Sequence, residues 1–296
     1  MVPRLSLLGW VLCLWGAGLA AAPAVPALTL KSPELVRLQA VDGMLLKADW
    51  HHSATPTASL VLVLPGFIQH KGTGNMRFVA ALLSPTVDVM VLDFRGTGAS
   101  NGLFNFGADE AADVQAALAW AQPRYRDLSL LGFSLGAYTA LRAASQGPLH
   151  PQRCLLVSVP DNVDGILGSG GVFTFLFKGW GHHDKLAQPE EGDLFFRWGS
   201  LLVPKPTAQF LAQGTVLPLH FLVGLKDELA YPRISRQVFD AASGPATWTS
   251  WGDGRHAEHM ALLDPQGFKA WVDDCRGWRG TQKMLAPFHQ EKRHDP

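Results

Sequence analysis

Residues 127–144 read DLSLLGFSLGAYTALRAA, and the rest of the chain can be organised around them. Leu128–Leu131 is a short apolar run interrupted only by Ser129, the pattern of a strand buried on both faces of a parallel sheet. Gly132-Phe133-Ser134-Leu135-Gly136 comes next, after which Ala137, Ala140, Leu141 and Ala144 fall at helical spacing. A G-x-S-x-G between a strand and a helix is a nucleophile elbow, a tight turn that lifts the serine hydroxyl out of the sheet. Its glycines are needed where a Cβ would strike neighbouring backbone. The amide after the serine, with a helix N-terminus behind it, points to where negative charge would develop on a substrate oxygen.

Working outward, Leu35–Trp50 alternates about Val41-Asp42-Gly43 and predicts an antiparallel hairpin with a D-G turn. Strands are expected at Leu60–Leu64, closed by Pro65-Gly66-Phe67, and at Val87–Leu92, closed by Asp93–Ser100. Beyond the elbow, strands are expected at Cys154–Val159, Val216–Val223 and Thr247–Trp251. Helices are expected at Gly74–Leu83, Asp109–Ala121, Tyr231–Ala242 and Gln266–Cys275. Such alternation implies an α/β fold: a parallel sheet with right-handed crossovers and helices on both faces.

The rhythm breaks over 161–214, a stretch rich in glycine, proline and aromatics, among them Phe173, Phe175, Phe177, Phe195, Phe196, Trp198 and Phe210. A structureless loop of that length is out of keeping with a compact domain. A small, partly helical lid over the C-terminal edge of the sheet is the expectation. Its aromatics either line an apolar pocket or pack the lid onto the body. The core is then 35–160 together with 215–280, followed by a polar tail over 281–296.

Hydrophobic residues make up 47% of 296, enough for one large core. Lys+Arg and Asp+Glu stand at 25 each, so no basic surplus argues for nucleic acid. Residues 1–22 read as a secretory signal peptide: Arg4, the apolar run Leu5–Leu19, then Ala20–Ala22. The apolar run is short for a membrane span. An Ala/Pro-rich linker covers 23–34. The expectation is an exported protein, periplasmic or secreted, with no stable membrane span after cleavage. Cys154 and Cys275 would remain, and export permits a disulfide, but two cysteines so distant in sequence fix no pairing. Cys154, inside an apolar run, reads as buried.

A serine hydroxyl is a weak nucleophile at neutral pH. It needs a base to take its proton and a carboxylate to orient that base. On such a sheet the chain order is Ser, then Asp or Glu, then His. Asp227, on the turn opened by Gly224 beyond the penultimate strand, is the candidate acid, with Glu228 behind it and Asp161 and Asp164 as weaker alternatives. The candidate base is His256, in the glycine-rich loop after the last strand; His259 is the alternative. The oxyanion hole is assigned to the N–H groups of Leu135 and Phe67. His256, His259 and Asp253 lack the spacing and glutamate of a zinc protease, and His182-His183-Asp184 reads as a polar turn. No metal and no cofactor are expected.

Taken together, Pro65-Gly66-Phe67, the Asp93…Arg95-Gly96-Thr97-Gly98-Ala99-Ser100 loop, Gly132–Gly136, Gly224-Leu225-Lys226-Asp227 and the late histidine make about residues 35–277 resemble an α/β-hydrolase. The family often has His-Gly-x where this chain has Pro65-Gly66-Phe67. The resemblance implies an eight-stranded, mostly parallel sheet with a lid inserted after the sixth strand. It also implies hydrolysis through an acyl-enzyme. With Ser134, His256 and Asp227 as the triad, the reading is cleavage of a small-molecule carboxylic ester with an apolar acyl part. The alternatives are a peptidase, amidase or thioesterase of the same fold, or an exported non-catalytic protein that binds through it.

Overall fold

The computed structural model describes residues 31–161 and 204–285. The expected signal segment, most of the linker, residues 162–203 of the expected lid and the tail from 286 lie outside the described residues, as do Asp164 and His182-His183-Asp184.

The first half of the fold comprises β1 (Glu34–Gln39), β2 (Leu45–His51), β3 (Ser59–Leu64), α1 (Gly74–Leu83), β4 (Asp88–Asp93), α2 (Glu110–Ala121), β5 (Asp127–Phe133) and α3 (Leu135–Gln146). The second comprises β6 (Arg153–Val157), α4 (Ala208–Gln213), β7 (Leu219–Gly224), α5 (Pro232–Ala241), β8 (Ala246–Trp251), α6 (His259–Leu263), α7 (Pro265–Gly277) and the two-residue β9 (Met284–Leu285). Among the described residues these strands form one sheet in the order β1-β2-β4-β3-β5-β6-β7-β8-β9. Strand β2 runs antiparallel to both β1 and β4; every other pairing is parallel. The eight expected strands are present, and β9 adds a short edge to β8 from residues that read as the start of the tail.

The pleat divides the core. Leu60, Leu62, Leu64, Leu128 and Leu130 pack with Val114 and Leu118 of α2, Tyr138 and Leu141 of α3, and Val238 of α5. Val61, Val63, Leu131 and Phe133 point the other way, onto Met76 and Val79 of α1 and Phe268 and Val272 of α7. Each buried side chain of this kind contributes about 1.5–3 kcal/mol. Both cores close on β5, whose residues from Leu128 to Phe133 are all buried, giving a firm base for the turn that follows. Ser129 stays satisfied inside it because its hydroxyl accepts from Arg153 Nη1 at 2.8 Å, and Arg153 also pairs with Asp127 at 2.6 Å.

Two local readings change. β7 begins at Leu219 rather than Val216, since Pro218 brings no N–H to the ladder; Val216 is 81% exposed. The end of the irregular segment belongs to the body. Ala208, Leu211 and Ala212 of α4 are buried, the helix packs on α3 and α5, and Thr207 Oγ1 caps it by accepting from Phe210 N at 3.2 Å. Phe210 is 61% exposed. Cys154 and Cys275 are both buried free thiols, so the two do not pair. Among the described residues no helix is long and apolar enough to cross a membrane.

Candidate active site

Ser134 sits between β5 and α3 with φ 50° and ψ −116°, a conformation a non-glycine residue adopts only when its surroundings impose it. They do so through close packing. A Cβ on Gly132 would lie 2.5 Å from the Ala137 Cα, and one on Gly136 would overlap the Leu64 carbonyl oxygen. The elbow can therefore close onto the ends of β3 and β5 only with glycine at both positions. Ser134 N–H donates to Val157 O at 2.9 Å, fixing the turn to the end of β6. Leu135 opens α3, where the first N–H groups have no intrahelical acceptor.

The loop after β3 approaches from the other side. A Cβ on Gly66 would be 3.3 Å from Phe133 O and 3.6 Å from Ser134 Cβ, so Gly66-Phe67 abuts the Ser134 turn. This loop is held from below by Asp93 at the end of β4. Its carboxylate accepts Lys71 N at 2.7 Å and Ala99 N at 2.8 Å, and its carbonyl accepts the Ser100 hydroxyl at 2.7 Å. Gly98, at φ 51°, lies so close that a Cβ would collide with that carboxylate. The Asp93–Ser100 stretch is thus a brace for the loop bearing Phe67.

Asp227 follows β7 on the turn that Gly224 opens. Its carboxylate is buried and accepts Leu229 N at 2.9 Å and Ala230 N at 2.8 Å. His256 Nδ1 lies 3.0 Å from each of its oxygens. Burial works against ionisation of Asp227, but the His256 charge, its hydrogen bond, the Ser158 hydroxyl and the Leu229 amide outweigh it and hold the carboxyl below the usual range. Burial likewise disfavours charge on His256, yet Asp227 and, more weakly, Glu258 raise it above the ordinary imidazole value. The His256 side chain keeps 23% exposure while that of Asp227 has none. With Nδ1 facing the carboxylate, Nε2 is the nitrogen left for a substrate or nucleophile proton.

His259 opens α6, and its N–H donates to His256 O at 3.2 Å. Asp161 serves elsewhere: its carbonyl accepts Ala208 N at 2.5 Å and its carboxylate accepts Gln209 N at 3.3 Å, anchoring the start of α4. Asp253 pairs with Lys226. Among the described residues no cluster of three or more His, Cys, Asp or Glu side chains could hold a metal.

Two features were not legible in the sequence. Glu258 accepts from Gln69 Nε2 at 2.7 Å and from Asn75 Nδ2 at 3.3 Å, tying the histidine loop to the Phe67 loop and α1. Ser158, just beyond β6, accepts Ala257 N at 2.9 Å on its hydroxyl. Neither partnership has a local signal, because the residues involved lie 99 to 189 positions apart.

The chain belongs to the alpha/beta hydrolase family, whose model matches residues 60–291. Over 129 residues it is 33% identical to an uncharacterized protein of Rickettsia prowazekii, covering 41% of this chain and 52% of that one. Over 104 residues it is 44% identical to the N-formylmaleamate deformylase of Pseudomonas putida, covering 34% and 37% respectively. The chain thus matches about half or less of the length of these relatives. Among solved structures, an esterase of Pyrococcus furiosus superposes with a TM-score of 0.66 at 21% identity, covering 86% of this chain and 95% of that one.

Proposed function

We propose that the protein is a serine hydrolase that cleaves a small-molecule carboxylic ester through an acyl-enzyme. The observation that carries the reading is the buried Asp227–His256 pair at the same sheet rim as the strained Ser134. Ser134 Oγ attacks the substrate carbonyl carbon while His256 Nε2 takes its proton. Asp227 holds the tautomer and stabilises the imidazolium. The Leu135 and Phe67 amides receive the oxyanion. The tetrahedral intermediate collapses, the C–O bond to the leaving group breaks, and His256 returns the proton to the departing alcohol. Water then repeats the attack on the acyl-enzyme with the same base.

Phe67, only partly buried next to Gly66, supports an apolar acyl group; its ring packs 5.8 Å from Phe104 and 5.4 Å from Phe106 of the core. A second reading, cleavage of an N-acyl bond, is favoured by the stretch shared with the deformylase. A panel of p-nitrophenyl esters of graded length, run beside N-formyl and aminoacyl amides, tests both. Turnover of esters by wild type and its loss in Ser134→Ala is the expected result; turnover of amides alone selects the second reading. We also propose export through residues 1–22, tested by determining the N-terminus of the mature protein.

A further inference from the structure

Ser158 is fully buried directly after β6 and holds φ 53°, a left-handed conformation for a residue with a side chain. Its N–H donates to Leu222 O at 2.9 Å, locking it to β7. Its hydroxyl oxygen accepts Ala257 N at 2.9 Å, next to His256, and Ala257 is itself held at φ 48°. The preceding carbonyl, Val157 O, accepts the Ser134 N–H at 2.9 Å. Val157-Ser158 therefore touches the backbone of the nucleophile turn on one side and the histidine loop on the other. The Ser158 hydroxyl also helps hold the Asp227 carboxyl below its usual range, beside the donors Leu229 N, Ala230 N and His256 Nδ1 that the carboxylate accepts. A hydroxyl can accept from one buried group while donating to another, and no apolar side chain of that size can do either.

We propose that Ser158 is a positioning residue for the hydrolysis, one that sets the Asp227–His256 pair relative to Ser134. The inference rests on the serine-hydrolase reading above. If the hydroxyl only filled space, its loss would cost folded protein. If it positions the base, its loss lowers turnover in every folded molecule.

The test compares wild type with Ser158→Ala and Ser158→Gly, the glycine variant because it tolerates the left-handed backbone should alanine fail to fold. Ester turnover is divided by the number of sites that react with a fluorophosphonate, and melting is followed alongside. The expected result is a fall in kcat per reactive site of roughly a hundredfold, the scale of a small misplacement of a catalytic group, with KM unchanged. The acid limb of kcat/KM also moves to higher pH. Asp227, having lost a donor, pulls harder on the His256 proton; Glu258, the other charge acting on that imidazole, is untouched. A folded variant with wild-type kcat per site and an unmoved acid limb overturns the proposal, whatever happens to its melting temperature. Wild-type protein that neither reacts with the probe nor turns over any ester or amide overturns the hydrolase reading, and this inference with it.

Discussion

Asp113 holds Arg95 much as Asp227 holds His256: in each pair a fully buried carboxylate grips a nitrogen base carried by another element. The difference lies in what remains after the grip. Arg95 donates Nε and Nη2 to Asp113 Oδ1 at 2.9 and 2.6 Å, its backbone N–H to Oδ2 at 2.8 Å, and Nη1 to Asp42 at 2.6 Å. Its side chain is 4% exposed. The pair clamps the β4 loop to α2 and to the β1–β2 turn and presents nothing to a substrate. His256 commits Nδ1 to the carboxylate and keeps a side chain 23% exposed, in the loop after β8. Burial also pushes Asp113 up to about 6 despite Arg95, so a perturbed carboxylate by itself does not mark the site. A titratable base with one nitrogen uncommitted does.

The strongest way to break this comparison is to neutralise each carboxylate in turn. Asp227→Asn keeps the volume but favours the wrong imidazole tautomer, and is expected to lower kcat on the order of 10⁴-fold with little change in the urea unfolding midpoint. Asp113→Asn is expected to do the opposite: turnover per folded molecule stays near wild type while stability falls by about 3–5 kcal/mol, because Arg95 is left buried without its counter-charge. Equal losses of turnover per folded molecule in the two variants would erase the distinction. A finer cut replaces the two loop histidines separately. His256→Ala is expected to abolish ester turnover, and His259→Ala to leave it close to wild type, as p-nitrophenyl ester assays would register. The smallest effect concerns Glu258. Glu258→Gln retains an acceptor for Gln69 and Asn75 but removes a charge that raises His256. His256 works as a base only when neutral, so lowering its pKa moves the acid limb of kcat/KM to lower pH, read from a pH–rate profile.

The parts of this molecule legible beforehand are those whose cause is local. The apolar run before Gly132, the D-G turn at Asp42-Gly43 and the G-x-S-x-G spacing each follow from a few neighbouring residues. Asp227 and His256 could be named because their loops follow strands, which places them at one rim. Ser158 and Glu258 could not, since a serine at a strand end and a glutamate beside a histidine carry no signal until β6, β7 and the last loop meet. Helix α4 lies in the stretch expected to be a partly helical lid, and its packing on the body was not legible for a related reason. It has only six residues, and its burial depends on α3, more than sixty positions earlier. The Asp93–Ser100 loop was recognised as a pattern, but its physical role, bracing the Phe67 loop through Lys71 N, appears only when both loops are folded.

The central claim is that the hydroxyl of Ser134 is activated by the Asp227–His256 pair. Its most direct measurement is the mass of the intact protein after exposure to a fluorophosphonate, followed by peptide mapping. The account predicts one phosphonyl adduct on the peptide containing Ser134, absent from Ser134→Ala and strongly slowed in His256→Ala. A folded wild-type protein that gains no mass, or gains it on another residue, would contradict it.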